Sequence, residues 1–153
     1  LVSSSYGLIE NCYVNVSVSG SRSIGGIVYE NFAAGVMRNN VFVGSLTETG
    51  TAYRAGGIAG VSRVDEEGGY NNVYLTGGDS TDGKYIVGKR DDALCTAWDA
   101  TNALATDFAA LSEANAAMLA TFDTHVWTLE GGFALNKGCL TTLTASAGEG
   151  TEA

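Results

Sequence analysis

The chain has 153 residues, 45% hydrophobic and 16% charged, with 21 glycines and no proline. That length suits one domain with a real core, and low charge with abundant Gly, Thr, Ser and Val suits repetitive β structure better than a helical enzyme. A net charge of −9 with 8 basic residues repels phosphate backbones and anionic lipid, which disfavours nucleic-acid and membrane-surface roles. No apolar run approaches membrane-spanning length, so no membrane insertion is expected of this segment.

In chain order, Leu1-Val2-Ser3-Ser4-Ser5 enters a recurring pattern almost at once, as expected of a piece of a larger parent chain. The first phrase is Glu10-Asn11-Cys12-Tyr13-Val14, followed by Ile24-Gly25-Gly26-Ile27-Val28. It returns as Asn39-Asn40-Val41-Phe42-Val43 with Ala55-Gly56-Gly57-Ile58-Ala59-Gly60, and as Asn71-Asn72-Val73-Tyr74-Leu75 with Lys84-Tyr85-Ile86-Val87-Gly88. Aligning Asn11, Asn40 and Asn72 gives steps of 29 and 32 residues; aligning Ile27, Ile58 and Ile86 gives 31 and 28. Such periods, with short apolar runs and no helical stripe, predict an all-β parallel solenoid of about three coils over residues 1–92.

Alternation sets the expected faces. Cys12, Val14, Val16 and Val18 fall on one side of a strand, with Tyr13, Asn15, Ser17 and Ser19 on the other. Val41, Val43, Val73 and Leu75 are expected inward, and Leu46 breaks phase, which predicts a bend near Gly44. The Gly25-Gly26 and Gly56-Gly57 pairs predict tight corners that a side chain would block. Asn11, Asn40 and Asn72 are expected to stack at a corner. Tyr13, Phe42 and Tyr74, with Tyr53 nearby, are expected as an outward aromatic column. That column either stabilises the stack by itself or contacts a glycan or protein ligand; the first reading is the commoner.

From Ala93 to Ala120 alanine dominates and glycine is absent. Leu111, Asn115, Met118 and Phe122 have helical spacing and Ser112 is a candidate N-cap, predicting a short helix over 112–121. Val126-Trp127-Thr128-Leu129, Glu130-Gly131-Gly132 and Phe133-Ala134-Leu135 predict a hairpin, and Leu140 to Leu143 a further strand. Residues 93–145 are expected to cap the C-terminal end of the stack, leaving 146–153 as a flexible tail.

Chemistry is sparse. The single histidine, His125, lies near Asp123, but no nucleophile elbow or oxyanion loop accompanies it, so a structural role is favoured. The glycine run at 56–60 lacks the lysine and following helix of a phosphate cradle. Asp79-Ser80-Thr81-Asp82-Gly83 is a turn before it is a calcium loop, since the distal glutamate is missing. No cofactor, metal or catalytic residue is assigned. Cys12 shares a slot with Val41 and Val73 and is expected to act as a small hydrophobe. Cys95 and Cys139 could pair or stay free.

Ile9-Glu10-Asn11-Cys12-Tyr13-Val14 and Gly56-Gly57-Ile58-Ala59-Gly60 resemble the GLUG-motif repeat of large bacterial surface proteins, including adhesin-like proteins and non-catalytic parts of IgA-specific metallopeptidases. Cys95-Thr96-Ala97-Trp98-Asp99 and the run from Phe122 to Leu135 are similar to the closing segments of those proteins. The family's closing proline is absent, and Lys84-Tyr85 stands where two glycines are usual. The resemblance covers about residues 7–136. It implies a right-handed β-solenoid at the bacterial cell surface, extracellular, serving as stalk or adhesive surface without catalysis. A host glycan or protein ligand is then the expected partner. The alternatives are a β-helix carbohydrate-active enzyme or its ancillary sugar-binding domain, and a trimeric fibre or tail-tip protein. The enzyme is disfavoured because Asn, aromatics and glycine stand where a carboxylate groove is needed.

Overall fold

A computed structural model describes residues 2–50, 55–76, 85–89 and 92–136. The described chain is mostly strand in parallel sheets with few helices, an all-β arrangement as expected.

Five parallel sheets gather corresponding strands from successive repeats. The first holds β1 (Val2–Ser5), β6 (Val28–Asn31), β11 (Ala59–Ser62) and β14 (Val87–Lys89) in that order. The second holds β2 (Leu8–Glu10), β7 (Val36–Arg38) and β12 (Gly69–Tyr70). The third holds β3 (Tyr13–Val14), β8 (Val41–Phe42), β13 (Val73–Leu75) and β15 (Ala103–Ala105). Two smaller sheets pair β4 (Ser17–Gly20) with β9 (Ser45–Glu48), and β5 (Ile24–Gly25) with β10 (Ala55–Gly56). One apolar cluster draws on all five: Val28 from the first, Met37 from the second, Phe42 and Tyr74 from the third, then Leu46, Ile24 and Ala55. Each is 9% exposed or less, and fully burying such a side chain is worth ~1.5–3 kcal/mol.

The glycine corners are as tight as expected. A Cβ on Gly25 would sit 1.9 Å from the Val28 carbonyl oxygen, and one on Gly56 would sit 1.9 Å from that of Ala59. Ile27, Ile58 and Ile86 form a buried column, the Ile27 amide donating to the Ile58 carbonyl and the Ile58 amide to that of Ile86.

The asparagine alignment is off by one residue. Register in the second sheet sets Glu10, Arg38 and Tyr70 side by side, so their successors Asn11, Asn39 and Asn71 share a column. All three have positive φ, 54°, 52° and 55°. Asparagine tolerates this left-handed corner because its short polar side chain can bond locally. The next column is Cys12, Asn40, Asn72 and Asn102. Here the Asn40 Nδ2 donates to Asn72 Oδ1 at 2.9 Å, and the Asn72 Nδ2 donates to Asn102 Oδ1 at 2.7 Å. The same amides donate across the stack to the carbonyls of Ile9, Met37 and Gly69. Cys12 therefore stands in the asparagine slot, not the valine slot.

In the second and third repeats the faces of the third sheet are also opposite to expectation. Phe42 and Tyr74 are fully buried in the central cluster. Val41 and Val73 are buried on the other face, against Ala103, Leu111, Phe122 and Trp127, with Val43 and Leu75 packed beside them. Alternation was correct and its sign inverted: period two does not say which face is inner, and a one-residue slip exchanges them. With Phe42 inward, Leu46 keeps phase with it, although the chain does bend at Gly44. In the first repeat Val14 and Val18 pack on the central cluster, while Val16 is exposed.

The alanine-rich region differs in two ways. Helix α1 (Asp92–Thr101) stands where the second sheet would continue, its Trp98 packed over Gly69, where an added Cβ would come within 2.2 Å of the indole. Strand β15 then extends the third sheet, so the parallel sheets run past residue 92 to 105. The predicted helix over 112–121 is two shorter ones, α2 (Phe108–Ala114) and α3 (Ala116–Leu119), separated at Asn115. Asp107, not Ser112, caps the first, accepting from the Ala110 amide at 2.8 Å. The expected hairpin is present: β16 (Trp127–Thr128) pairs antiparallel with β17 (Ala134–Leu135), and Gly131 takes the positive φ of its turn. This segment lies along the flank of the third sheet and does not cover its last strand alone. The strand at 140–143, the tail and Cys139 lie outside the described residues.

Candidate functional site

The outward aromatic column, whether for stacking alone or for a ligand, does not exist as an outer surface. Tyr13 is 38% exposed, but Phe42 and Tyr74 are 0%. Tyr13 stands in register with Val41, and Phe42 with Val14, so the three side chains do not share a column. Phe42 and Tyr74 pack ring to ring at 5.5 Å between centroids, inside the central cluster. Their work is packing. Tyr53 lies outside the described residues.

A different aromatic column is present at the surface. Tyr6 stacks on Phe32 with centroids 4.4 Å apart and planes 6° apart, and the Arg63 guanidinium lies 5.6 Å from the Phe32 centroid. Arg63 Nε also donates to Glu30 at 2.5 Å. Tyr6 and Phe32 spend a ring face on each other, and Tyr6 as a whole is 65% exposed. Sequence reasoning missed the column because Leu1 to Ser5 was not aligned as a strand: register pairs Ser5 with Asn31, a shorter step than those of the aligned phrases. That register would have set Tyr6 beside Phe32.

Polar outer columns behave alike. Arg38 Nε donates to Glu10 Oε2 at 2.6 Å and its Nη1 donates to the Tyr70 hydroxyl at 3.2 Å. These bonds, that to Tyr70 foremost, hold the guanidinium protonated more firmly than usual. The Ser45 hydroxyl donates to that of Ser17 at 2.7 Å. The outer surface is thus built from ladders that satisfy themselves between repeats.

His125 and Asp123 do come together. Asp123 Oδ1 accepts from the His125 amide at 2.8 Å and lies 2.9 Å from its ring Nδ1. Those bonds, the backbone one foremost, hold the Asp123 carboxyl below the usual carboxylate range. The imidazole is 92% exposed, so the pair orders the turn that leads into Trp127. Cys12 is half-buried, and that burial pushes its thiol up, away from the reactive thiolate. A cavity of about 330 Å³ opens beside the last repeat, lined by Ile86, Asp99, Asn102, Ala103, Leu104 and Asn115. The Asn102 amide is already committed to Gly69, Trp98 and Asn72. Among the described residues no three His, Cys, Asp or Glu side chains group as metal ligands, and the Asp79–Gly83 loop lies outside them. Among the same residues no helix is long and apolar enough to cross a membrane.

Compared with family models, curated proteins and solved structures, the chain has no significant match.

Proposed function

We propose that the chain is a right-handed β-solenoid segment of a bacterial surface protein, extracellular and non-catalytic, serving as a stalk with an adhesive outer surface. The observation that carries this reading is the convergence of all five parallel sheets on one apolar cluster. Strands recurring in register around a common core are what a winding chain produces. A fourth rung, with α1 in place of one strand, follows the three in the repeats. Cross-repeat ladders of Asn, aromatic and charged side chains make such a body stiff, which suits a spacer. The resemblance to GLUG-motif repeats supports the surface location.

The test presents the intact chain to arrays of host glycans and extracellular-matrix proteins, beside a Tyr6→Ala/Tyr13→Ala double variant. Binding that the double variant loses is the expected result for an adhesive surface. Hydrolysis of any polysaccharide on the same array would overturn the non-catalytic reading in favour of a β-helix carbohydrate-active enzyme.

A further inference from the structure

The cavity beside the last repeat is walled from several elements. Ile86 enters it just before β14, Asp99 from α1, Asn102 from the end of that helix, Ala103 and Leu104 from β15, and Asn115 from the break between α2 and α3. Ile86 and Ala103, 2% and 3% exposed, give it an apolar inner wall. Leu104 is 40% exposed, although its register partner Tyr74 is fully buried. An aliphatic side chain uncovered on a concave wall is area that an apolar group can still remove from water. Asp99 is exposed at the mouth and Asn115 is half-buried. The Asn115 side chain makes no capping bond to α3, whereas that of Asn102 is spent in the ladder.

We infer that this cavity binds a primary alkylammonium, a cationic head on a short aliphatic stem. The Asp99 carboxylate accepts from the head, the Asn115 side-chain oxygen takes a further N–H, and the stem lies along Leu104, Ala103 and Ile86. An ammonium carries three donors and no acceptor, which suits oxygens from two sides. A carboxylate offers about four acceptor positions, so Asp99 receives the head whatever else it bonds. The space of about 330 Å³ lies at the small end of ligand sites, in keeping with a single side chain or a short diamine. Charge selects a cation over a neutral sugar. Among the described residues Asp99 is the one charge in the lining, and from Asp91 to Asn136 the sequence holds seven carboxylates and no lysine or arginine. Such a field concentrates cations at the mouth. Among the same residues no aromatic ring lines the cavity, as stacking on a sugar would require. The site is separate from Tyr6 and Tyr13 of the first repeat and does not depend on the adhesive reading.

The same chemistry is offered by a lysine side chain of a protein and by a free diamine, and two probes separate them. Amide NMR of the full chain is followed during titration with N-acetyl-lysine amide and with cadaverine. Saturable shifts at Asp99, Leu104 and Asn115 are expected, with N-acetyl-norleucine amide, which has a stem and no ammonium, about tenfold weaker or more. Tighter binding of the lysine amide assigns the site to a protein partner, and tighter binding of cadaverine assigns it to a free diamine. Asp99→Asn keeps the shape and drops the charge, and should weaken either amine about tenfold. Leu104→Lys, at an exposed position, supplies an ammonium from the chain itself and should abolish binding. The two substitutions act through different groups, so if one unfolds the chain the other still decides. No saturable shift with either amine, methyl glucoside bound as well as the amines, or binding indifferent to both substitutions overturns the inference.

Discussion

The indole N–H of Trp127 donates to the side-chain oxygen of Asn11 across 3.1 Å of space and 116 residues of sequence. Asn11 sits at the left-handed corner of the first repeat, and Trp127 opens the C-terminal hairpin. The segment from α2 to β17 is therefore tied to the first repeat as well as to the later ones. It packs Leu111, Phe122 and Trp127 over Val41, Val73 and Ala103, and Phe122, Trp127 and Phe133 meet edge-on or tilted at 5.4 to 5.8 Å.

If this clasp holds the repeats together, Trp127→Ala should destabilise the chain by ~3–5 kcal/mol, the cost of emptying a buried aromatic site. Trp127→Phe, which keeps ring packing but leaves Asn11 without its donor, should cost about 1 kcal/mol. Urea unfolding followed by circular dichroism measures both. An Ala variant with a native midpoint would show that the segment rides on the repeats without bracing them.

Asn72 offers a sharper probe of the central ladder. Its Oδ1 accepts from Asn40 and its Nδ2 donates to Asn102 and to the Met37 carbonyl. Asn72→Asp removes both donors and aims a carboxylate at two oxygens, so a loss of about 3–5 kcal/mol is expected at neutral pH. The folded form raises the pKa of this new carboxyl, since burial and facing oxygens oppose its charge. The deficit is thus largest above the folded-state pKa and shrinks as pH falls toward the unfolded value of about 4. Melting temperatures of the two chains that stay equally far apart from neutral to acid pH would contradict the buried ladder.

Gly56 and Gly7 form a matched contrast. A Cβ at Gly56 meets the Ala59 carbonyl oxygen at 1.9 Å and the Gly88 nitrogen at 2.4 Å, both backbone atoms that cannot swing aside; a Cβ at Gly7 meets nothing within 4 Å. Gly56→Ala should cost about 3 kcal/mol, and Gly7→Ala should leave the denaturation midpoint nearly where it was. Equal midpoints for the two variants would mean that the corner is wider than described.

Asp123 contributes a pH-dependent increment. Its carboxyl titrates lower in the folded chain than in the unfolded one, because the His125 amide and ring bond to the ionised form. A depressed pKa stabilises above the unfolded value, and that stabilisation is lost as pH falls from there through the lower folded-state pKa. Asp123→Asn should lower the melting temperature near neutrality, where the increment is fully present, and flatten its fall toward acid, so that the two profiles converge at low pH. A variant with the wild-type acid slope would assign that slope to other carboxylates.

Much of the architecture was legible. Recurrence near thirty residues, glycine pairs and the isoleucine column are local patterns, and they map onto parallel sheets with Ile27, Ile58 and Ile86 buried in register. The hairpin around Gly131 was readable for the same reason: turn chemistry is a property of a few adjacent residues. Helix α1 was missed because Cys95 to Asp99 was read by family likeness, although the alanine-rich composition favours helix.

What the amino-acid order determined alone is the period of the repeat and the alternation of its strands, both consequences of backbone geometry. Tertiary structure decided the sign of that alternation. Val41 and Phe42 are each apolar enough for a core, and only the packing of Leu111 and Trp127 on the valine face makes both sides of the strand dry. It also decided which asparagine of Asn39-Asn40 and Asn71-Asn72 takes the corner and which the ladder, since two identical neighbours look alike until φ and hydrogen-bond partners tell them apart.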